Sequence, residues 1–599
     1  MLRRIAVFSV IIFNIALIGS CNRSGTPDQI AEAILKKMTL EEKIGQMMMV
    51  AVEYLERDDD VKTYFIGSMV HGSGYSPKPD SNSAALWANR IDSLQSQALK
   101  TRLGVPILFA SDAVHGNAAV FGSVVFPHNI GMGCTNNPAL VQSAAKITAT
   151  EMRGSGLRWA LAPTISVARD ERWGRTYESY SESPELVSKM GDAAIIGFQG
   201  KTLSPTSVLA CAKHYIGDGD TEGGQNEGNV KLDGKALRAL HLPPFASAVK
   251  AGVGSIMVSL GSFNSEKIHG QKYLITTVLK RELKFGGIVV SDWAGIFQLS
   301  NDTLAAVEQA INAGLDVVML PGKYKEFMAA MKFLALQGRI APERLDDAVR
   351  RILKVKVAMG LFESPMTDRK LTELVGSQAH RDAARTAVQE SLVLVKNENS
   401  ILPLSKTTAR IFVAGKNANN LVNQCGGWTV DFEDFQKNLD SLAFASTVLR
   451  SIRRAVSANT TVNFSVDGVG AAGATVAVAV IGETPYAESV GDRDSLMISE
   501  DDLAVIENLK AAKVPIVIVV ISGRPLILGE ALAKADALVL AWLPGTEGDG
   551  IANVLFGDAV PTGKLSHSYP RTMEQVPLNV GDSPYSPLFE FGFGLSYSK

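Results

Sequence analysis

Between about Thr39 and Gly360, short apolar runs alternate with amphipathic stretches, and this rhythm restricts the fold more than any other feature of the chain. The runs are YFIGSMV from Tyr64, VPILFASD from Val105, RWALAPTI from Arg158, VLACAKHY from Val208, SIMVSL from Ser255, GIVVSD from Gly287 and DVVML from Asp316. Continuous apolar runs ending in polar or charged residues are the pattern of strands buried on both faces. Seven or eight such βα units over this length predict a (β/α)8 TIM-like barrel, whose active face lies at the strand C-termini. Chemistry is therefore expected where the runs end.

A helical stretch is predicted from Pro342 to Met359, and GLFESPMTDRK then breaks the pattern with Gly360 and Pro365. Beyond it come ARIFVAG from Ala409, TVAVAVIGE from Thr475, VPIVIVVISG from Val514 and ALVLAWLPG from Ala537. These predict a second α/β domain with a mostly parallel sheet covered on both faces. Two domains also suit 599 residues, too many for one hydrophobic core. The expected division is 1–21 as an export signal, 22–362 as the barrel, 363–385 as a linker and 386–599 as the α/β sandwich, with no further C-terminal domain.

At the N-terminus Arg3 and Arg4 precede an apolar run from Ile5 to Ile18, then Gly19, Ser20 and Cys21. The run is short for a membrane span, and small residues before a cysteine are similar to a bacterial lipoprotein cleavage site. Cys21 is the expected lipidation site, making the membrane a partner through an anchor; an ordinary signal peptide with an incidental cysteine is the alternative. Cys134, Cys211 and Cys425 lack short metal-ligand spacing and read as buried free thiols. With 59 Lys+Arg against 61 Asp+Glu, nothing in the charge points to nucleic acid.

Four motifs sit just after expected strands: DAVHG at Asp112, RWGRTYESYSE at Arg172, AKHYIGDG at Ala212 and VSDWAG at Val290. Each could be structural alone, as a helix cap, an ion pair or a solvated loop. Converging on one barrel mouth, acidic groups with Arg, Lys and His offer the directional hydrogen bonds that a sugar's hydroxyls need. In this order, with MTLEEKIGQM at Met38, INAGLDVVMLPG at Ile311, ESLVLVKNE at Glu390, QCGGWTV at Gln424, GETPYAES at Gly482, ISGRPL at Ile521, AWLPGTEGDG at Ala541, PTGKLSHSYP at Pro561 and FGFGLSY at Phe591, the chain resembles glycoside hydrolase family 3, most closely its β-glucan exohydrolases.

That resemblance implies a retaining exo-β-glycosidase that releases glucose from β-glucans or β-gluco-oligosaccharides, without metal or organic cofactor. It makes Asp292 the nucleophile and Asp112, Arg175, Lys213 and His214 the holders of the sugar at the cleavage point. Lys213, Arg175 and His214 are expected to favour ionised Asp292. Glu488, in PYAE, matches the acid/base, with Glu483 as the alternative, and Glu227 matches a carboxylate that would tune the acid/base by repulsion. Trp293 matches one wall of an aromatic clamp for the next sugar. The other wall is Phe432 here, and Gln298 and Leu260 stand where the plant enzymes have Arg and Tyr. A Phe platform still accepts a sugar face, so activity on several β-linkages is expected. β-Xylosidase activity and an inactive carbohydrate-binding lipoprotein remain open; an N-acetylhexosaminidase is disfavoured by the second domain and by KHYIGDGD.

Overall fold

The computed structural model describes residues 25–72, 75–77, 81–430 and 444–597. Eight parallel strands form the first sheet: β1 Met48–Ala51, β2 Ser68–Val70, β3 Leu108–Ser111, β4 Trp159–Ala160, β5 Leu209–Tyr215, β6 Ser255–Val258, β7 Ile288–Val290 and β8 Val318–Leu320. They pair in the order β7-β6-β5-β4-β3-β2-β1-β8, and a parallel bridge from Val290 to Val317 joins the two ends into a barrel. Every residue of these strands is buried, which explains why their sequences run apolar without alternation.

Seven of the strands lie in the seven apolar runs. The eighth, β1, follows helix Leu40–Gln46 with only Met47 between them, so its methionines continue the helix's apolar pattern and the strand has no boundary of its own in the sequence. The helix Pro342–Ala358 begins with Pro at its first turn and packs on Pro27–Leu35 through Arg350–Glu32 and Lys354–Asp28 ion pairs.

The second sheet contains β9 Val393–Asn397, β10 Arg410–Ala414, β11 Thr461–Ser465, β12 Val476–Gly482, β13 Ile516–Ile521 and β14 Ala537–Trp542. Their order is β9-β14-β13-β12-β10-β11, and all pairs are parallel except β9 with β14. All six residues of β13 are buried at the centre of this sheet. Each such aliphatic side chain contributes roughly 1.5–3 kcal/mol by leaving water. Helix Gln378–Ser391 begins inside the stretch read as a linker. The protein is thus a TIM-like barrel followed by a separate α/β sheet domain. Cys134, Cys211 and Cys425 are buried free thiols. Among the described residues no helix is long and apolar enough to cross a membrane.

Candidate active site

The barrel brings its charged residues together because the apolar strands stop where the polar residues begin. Asp112 directly follows β3, Lys213 and His214 lie near the end of β5, and Asp292 stands two residues beyond β7. Ser291, between β7 and Asp292, accepts a hydrogen bond of 2.8 Å from the Met319 N–H of β8 and so pins that strand end. Arg175 comes from the long loop after β4. All of these lie at the C-terminal end of the barrel, the face on which such barrels carry their chemistry.

Lys213 Nζ donates to Asp112 Oδ1 at 2.7 Å. Arg175 forks onto Glu178, with Nε to Oε1 at 2.7 Å and Nη2 to Oε2 at 2.9 Å. The same Nη2 lies 3.1 Å from His214 Nε2, and Nη1 lies 3.2 Å from Glu488 Oε1. His214 Nε2 is 3.8 Å from Asp292 Oδ2, while its Nδ1 faces Asp218 Oδ2 at 2.8 Å. Asp292 Oδ1 accepts from the Trp293 N–H at 2.7 Å, and the Asp292 N–H donates to His269 Nε2 at 3.0 Å. One guanidinium therefore connects the carboxyl group of the second domain to the imidazole beside Asp292.

The electrostatics differ between the two key carboxyls. Burial pushes Glu488 up to about 7; the charges of Asp292 and Glu178 push the same way, against Arg175 and Lys213. Burial also raises Asp292, and the pull of Arg175 and Lys213 does not cancel it. Arg175 and Lys213 act toward the ionised form of Asp292, and desolvation of the buried carboxylate outweighs them. His214 is driven well below its ordinary value by burial and then by Arg175, so a neutral imidazole accepts from the guanidinium through Nε2. Although burial alone would raise Glu178, the Arg175 fork holds it below its ordinary value. Burial would likewise raise Asp112, but Lys213 keeps it lowered.

Glu488 arrives on the loop after β12 and sits at φ 49°, a left-handed conformation that costs a non-glycine residue about 1–3 kcal/mol. Contacts across the domain boundary hold it there. Tyr177 Oη donates to the Tyr486 carbonyl at 2.9 Å. Asp492 accepts from the N–H groups of Gly174 and Asn226, both at 2.8 Å. A Cβ on Gly174 would lie 2.0 Å from the Glu488 carbonyl oxygen, so only glycine permits this approach. Arg524, fully buried, donates to the Arg172 carbonyl of one domain at 2.9 Å and the Gly491 carbonyl of the other at 2.6 Å. Glu483 is built into the same support: its Oε2 accepts from Tyr486 Oη at 2.8 Å and from the Gly523 N–H at 2.9 Å.

Trp293 stands at the mouth, edge-on to Tyr54 with ring centroids 6.5 Å apart. Glu227 Oε2 accepts from Gln298 Nε2 at 3.0 Å, and the groups with the largest effects on Glu488 do not include it. The repelling charges with the largest effects on Glu488 are those of Asp292 and Glu178. Leu260 packs near Gly295, three residues after Asp292. Phe432 and Cys21 lie outside the described residues.

Four members of the site carried no role in the sequence reading: Glu178, Asp218, His269 and Trp428, whose Nε1–H donates to Glu178 Oε1 at 3.1 Å. Glu178 and Asp218 stand inside quoted motifs, three and four residues after Arg175 and His214, so a search for the partners of those two cationic or basic groups would have found them. His269 has no such signal, because only the fold brings it under Asp292.

The same organisation is found in known proteins. Residues 39–355 match the glycosyl hydrolase family 3 N-terminal domain and residues 392–597 its C-terminal domain. A periplasmic beta-glucosidase of Salmonella typhimurium is 32% identical over 95% of this chain and 80% of its own. A beta-xylosidase of Formosa agariphila is 31% identical over 84% of this chain and 76% of its own. The crystal structure of an exo-1,3/1,4-beta-glucanase from a Pseudoalteromonas species superposes with a TM-score of 0.92 at 38% identity, covering 96% of this chain and 74% of that one.

Proposed function

This chain belongs to glycosyl hydrolase family 3 and is a glycoside hydrolase, and from that membership we propose that it is an exo-acting retaining β-glycosidase releasing glucose from β-glucans and β-gluco-oligosaccharides. Asp292 attacks the anomeric carbon as Glu488 gives its proton to the leaving oxygen. Water then attacks the glycosyl-enzyme ester and gives a proton back to Glu488. The observation that carries this reading is the meeting of two carboxyls from two domains around one guanidinium: Arg175 Nη1 lies 3.2 Å from Glu488 Oε1, and its Nη2 lies 3.1 Å from His214 Nε2, which is 3.8 Å from Asp292 Oδ2. Burial pushes Glu488 up to about 7, which equips it to hold a proton near neutrality, and the Trp293 N–H donates to Asp292 Oδ1 at 2.7 Å.

Asp112, Lys213, Arg175 and His214 are the proposed holders of the sugar at the cleavage point, with Trp293 and Phe432 receiving the next unit. The engagement of Glu483 by Tyr486 and the Gly523 N–H favours Glu488 as the acid/base. Proton NMR of an aryl β-glucoside hydrolysis tests the mechanism: the β-anomer of glucose must appear first, and initial α-glucose overturns retention.

A second reading, β-xylosidase activity, draws on the Formosa agariphila relative. Ratios of kcat/KM for laminari-, cello-, gentio- and sophoro-oligosaccharides against xylosides decide between them. Export with a lipid on Cys21 is part of the proposal, supported by the Arg3–Arg4 and apolar leader and by the periplasmic relative. Cys21→Ala should move the protein from the membrane fraction to the soluble fraction.

A further inference from the structure

Opposite the carboxyl groups, at the N-terminal end of the barrel strands, the chain brings two arginines together. Helix Pro138–Gly154 carries Arg153 in its last turn, and a short turn then leads to Arg158, the residue before β4. Both side chains are half-buried and line a cavity of about 530 Å3. Arg158 is anchored from one edge only: Nη2 donates to the carbonyls of Pro205, Ser207 and Met359 at 3.0–3.2 Å, and Nε to Ser207 at 3.3 Å. Nη1 takes part in none of these bonds.

Among the described residues, neither guanidinium forms an ion pair. The carboxylates nearby are Glu363 and Asp368, both exposed at the rim; Asp368 attracts Arg153 from a distance while it caps the Lys370 N–H at 3.2 Å. Burial and the charge of Arg153 push Arg158 down to about 10. Two cations thus line one cavity with neither in an ion pair, and the hydroxyl-bearing residues Ser364 and Thr206 line it with them.

Guanidinium N–H groups make charge-assisted bonds to oxyanions: the fork of Arg153 can give two in parallel, and Arg158 adds its Nη1. We propose that this cavity binds phosphate or sulfate, free or as an ester on a saccharide, between Arg153 and the Nη1 edge of Arg158. The cavity is roomier than a lone ion needs, which leaves space for an attached sugar. The site lies on the far side of the barrel from Asp292 and does not depend on the reaction assigned there.

Titration calorimetry of the full chain, with ionic strength held constant by chloride, tests this with sodium phosphate, sodium sulfate and glucose 6-phosphate. Constant ionic strength matters because these salts also stabilise proteins without binding. Saturable binding of at least one oxyanion is expected, weakened about tenfold or more in Arg153→Gln. Hydrolysis of an aryl β-glucoside by that variant should stay within about twofold of the parent, showing that the fold is kept. Only the heat lost in Arg153→Gln is counted, so that any glucose 6-phosphate entering the active site does not enter the comparison. Tighter binding of the ester assigns the ligand to a saccharide; equal or weaker binding assigns it to the free ion. Absence of saturable binding, or equal binding by Arg153→Gln, overturns the proposal. Arg153→Glu, which reverses the charge, should abolish binding if the first variant folds poorly.

Discussion

The barrel and the sheet domain are both built on parallel strands, yet they contribute to the site by different means. The barrel places Asp112, Lys213, His214 and Asp292 on or immediately after its strands, so the geometry of the sheet fixes them. The second domain contributes Glu488 from a loop six residues beyond β12, and the placement of that loop depends on hydrogen bonds to the other domain. A group on a strand end is positioned by its own domain, whereas a loop group is only as well placed as its interface. The proposed acid/base should therefore be vulnerable at a distance in a way the proposed nucleophile is not.

The barrel side should respond most strongly to substitution. Asp292→Ala should lower kcat on the order of 10,000-fold or more while circular dichroism and Tm show a folded protein. On the other side, Glu488→Ala should cost roughly 100- to 10,000-fold on substrates with poor leaving groups. Added azide should restore turnover of aryl glucosides with good leaving groups, and its failure would transfer the role to Glu483.

Asp492→Ala separates the two regions directly. It removes the acceptor for the Gly174 and Asn226 N–H groups but touches neither carboxyl. Loosening of the Glu488 loop should lower kcat/KM by about ten- to a hundredfold on substrates needing acid assistance, and much less on those with good leaving groups. Equal losses on both substrate types would show that the interface positions more than Glu488.

The pH profile of kcat/KM offers a finer contrast. Glu488 must carry its proton, so activity should fall as pH rises through about 7, while loss at low pH belongs to protonation of Asp292. Glu488→Gln should remove the alkaline limb and keep the acid limb.

The smallest effect concerns the stability of the barrel. Lys356 is fully buried with Nζ on Gln46 Oε1 and the Gly67 carbonyl, both at 2.7 Å, and burial lowers its pKa to about 7. The unfolded chain keeps this proton up to roughly pH 10, so it binds more protons than the folded chain between about 7 and 10. This group therefore makes stability rise with pH across that window. Lys356→Met should reduce the gain in Tm between pH 7 and pH 9 relative to the parent.

Much of the barrel was legible because strands buried on both faces cannot alternate, and their ends show as abrupt polar residues such as Asp112 and Asp292. The strand Met48–Ala51 was not, since it continues an apolar helix pattern with no turn residue between. In the second sheet, Thr461–Ser465 was missed for the opposite reason: it is an edge strand, partly exposed, with few apolar residues. The charged motifs were visible at the site, but their balance was not. Desolvation depends on burial, which no spacing reveals, and so the raised pKa of Asp292 and the neutral His214 emerged only with the fold. The partner of Glu227 is Gln298, a contact between residues far apart in sequence that no motif announces.

In the proposed reaction Asp292 forms a covalent bond to the sugar while a loop from the other domain handles the proton. Trapping with a 2-deoxy-2-fluoro-β-glucoside carrying a good leaving group, followed by peptide mass spectrometry, tests it most directly. One fluoroglucosyl group per chain is expected, on the peptide containing Asp292, formed also by Glu488→Ala. Label on Glu488, or complete inactivation with the Asp292 peptide unlabelled, would contradict it.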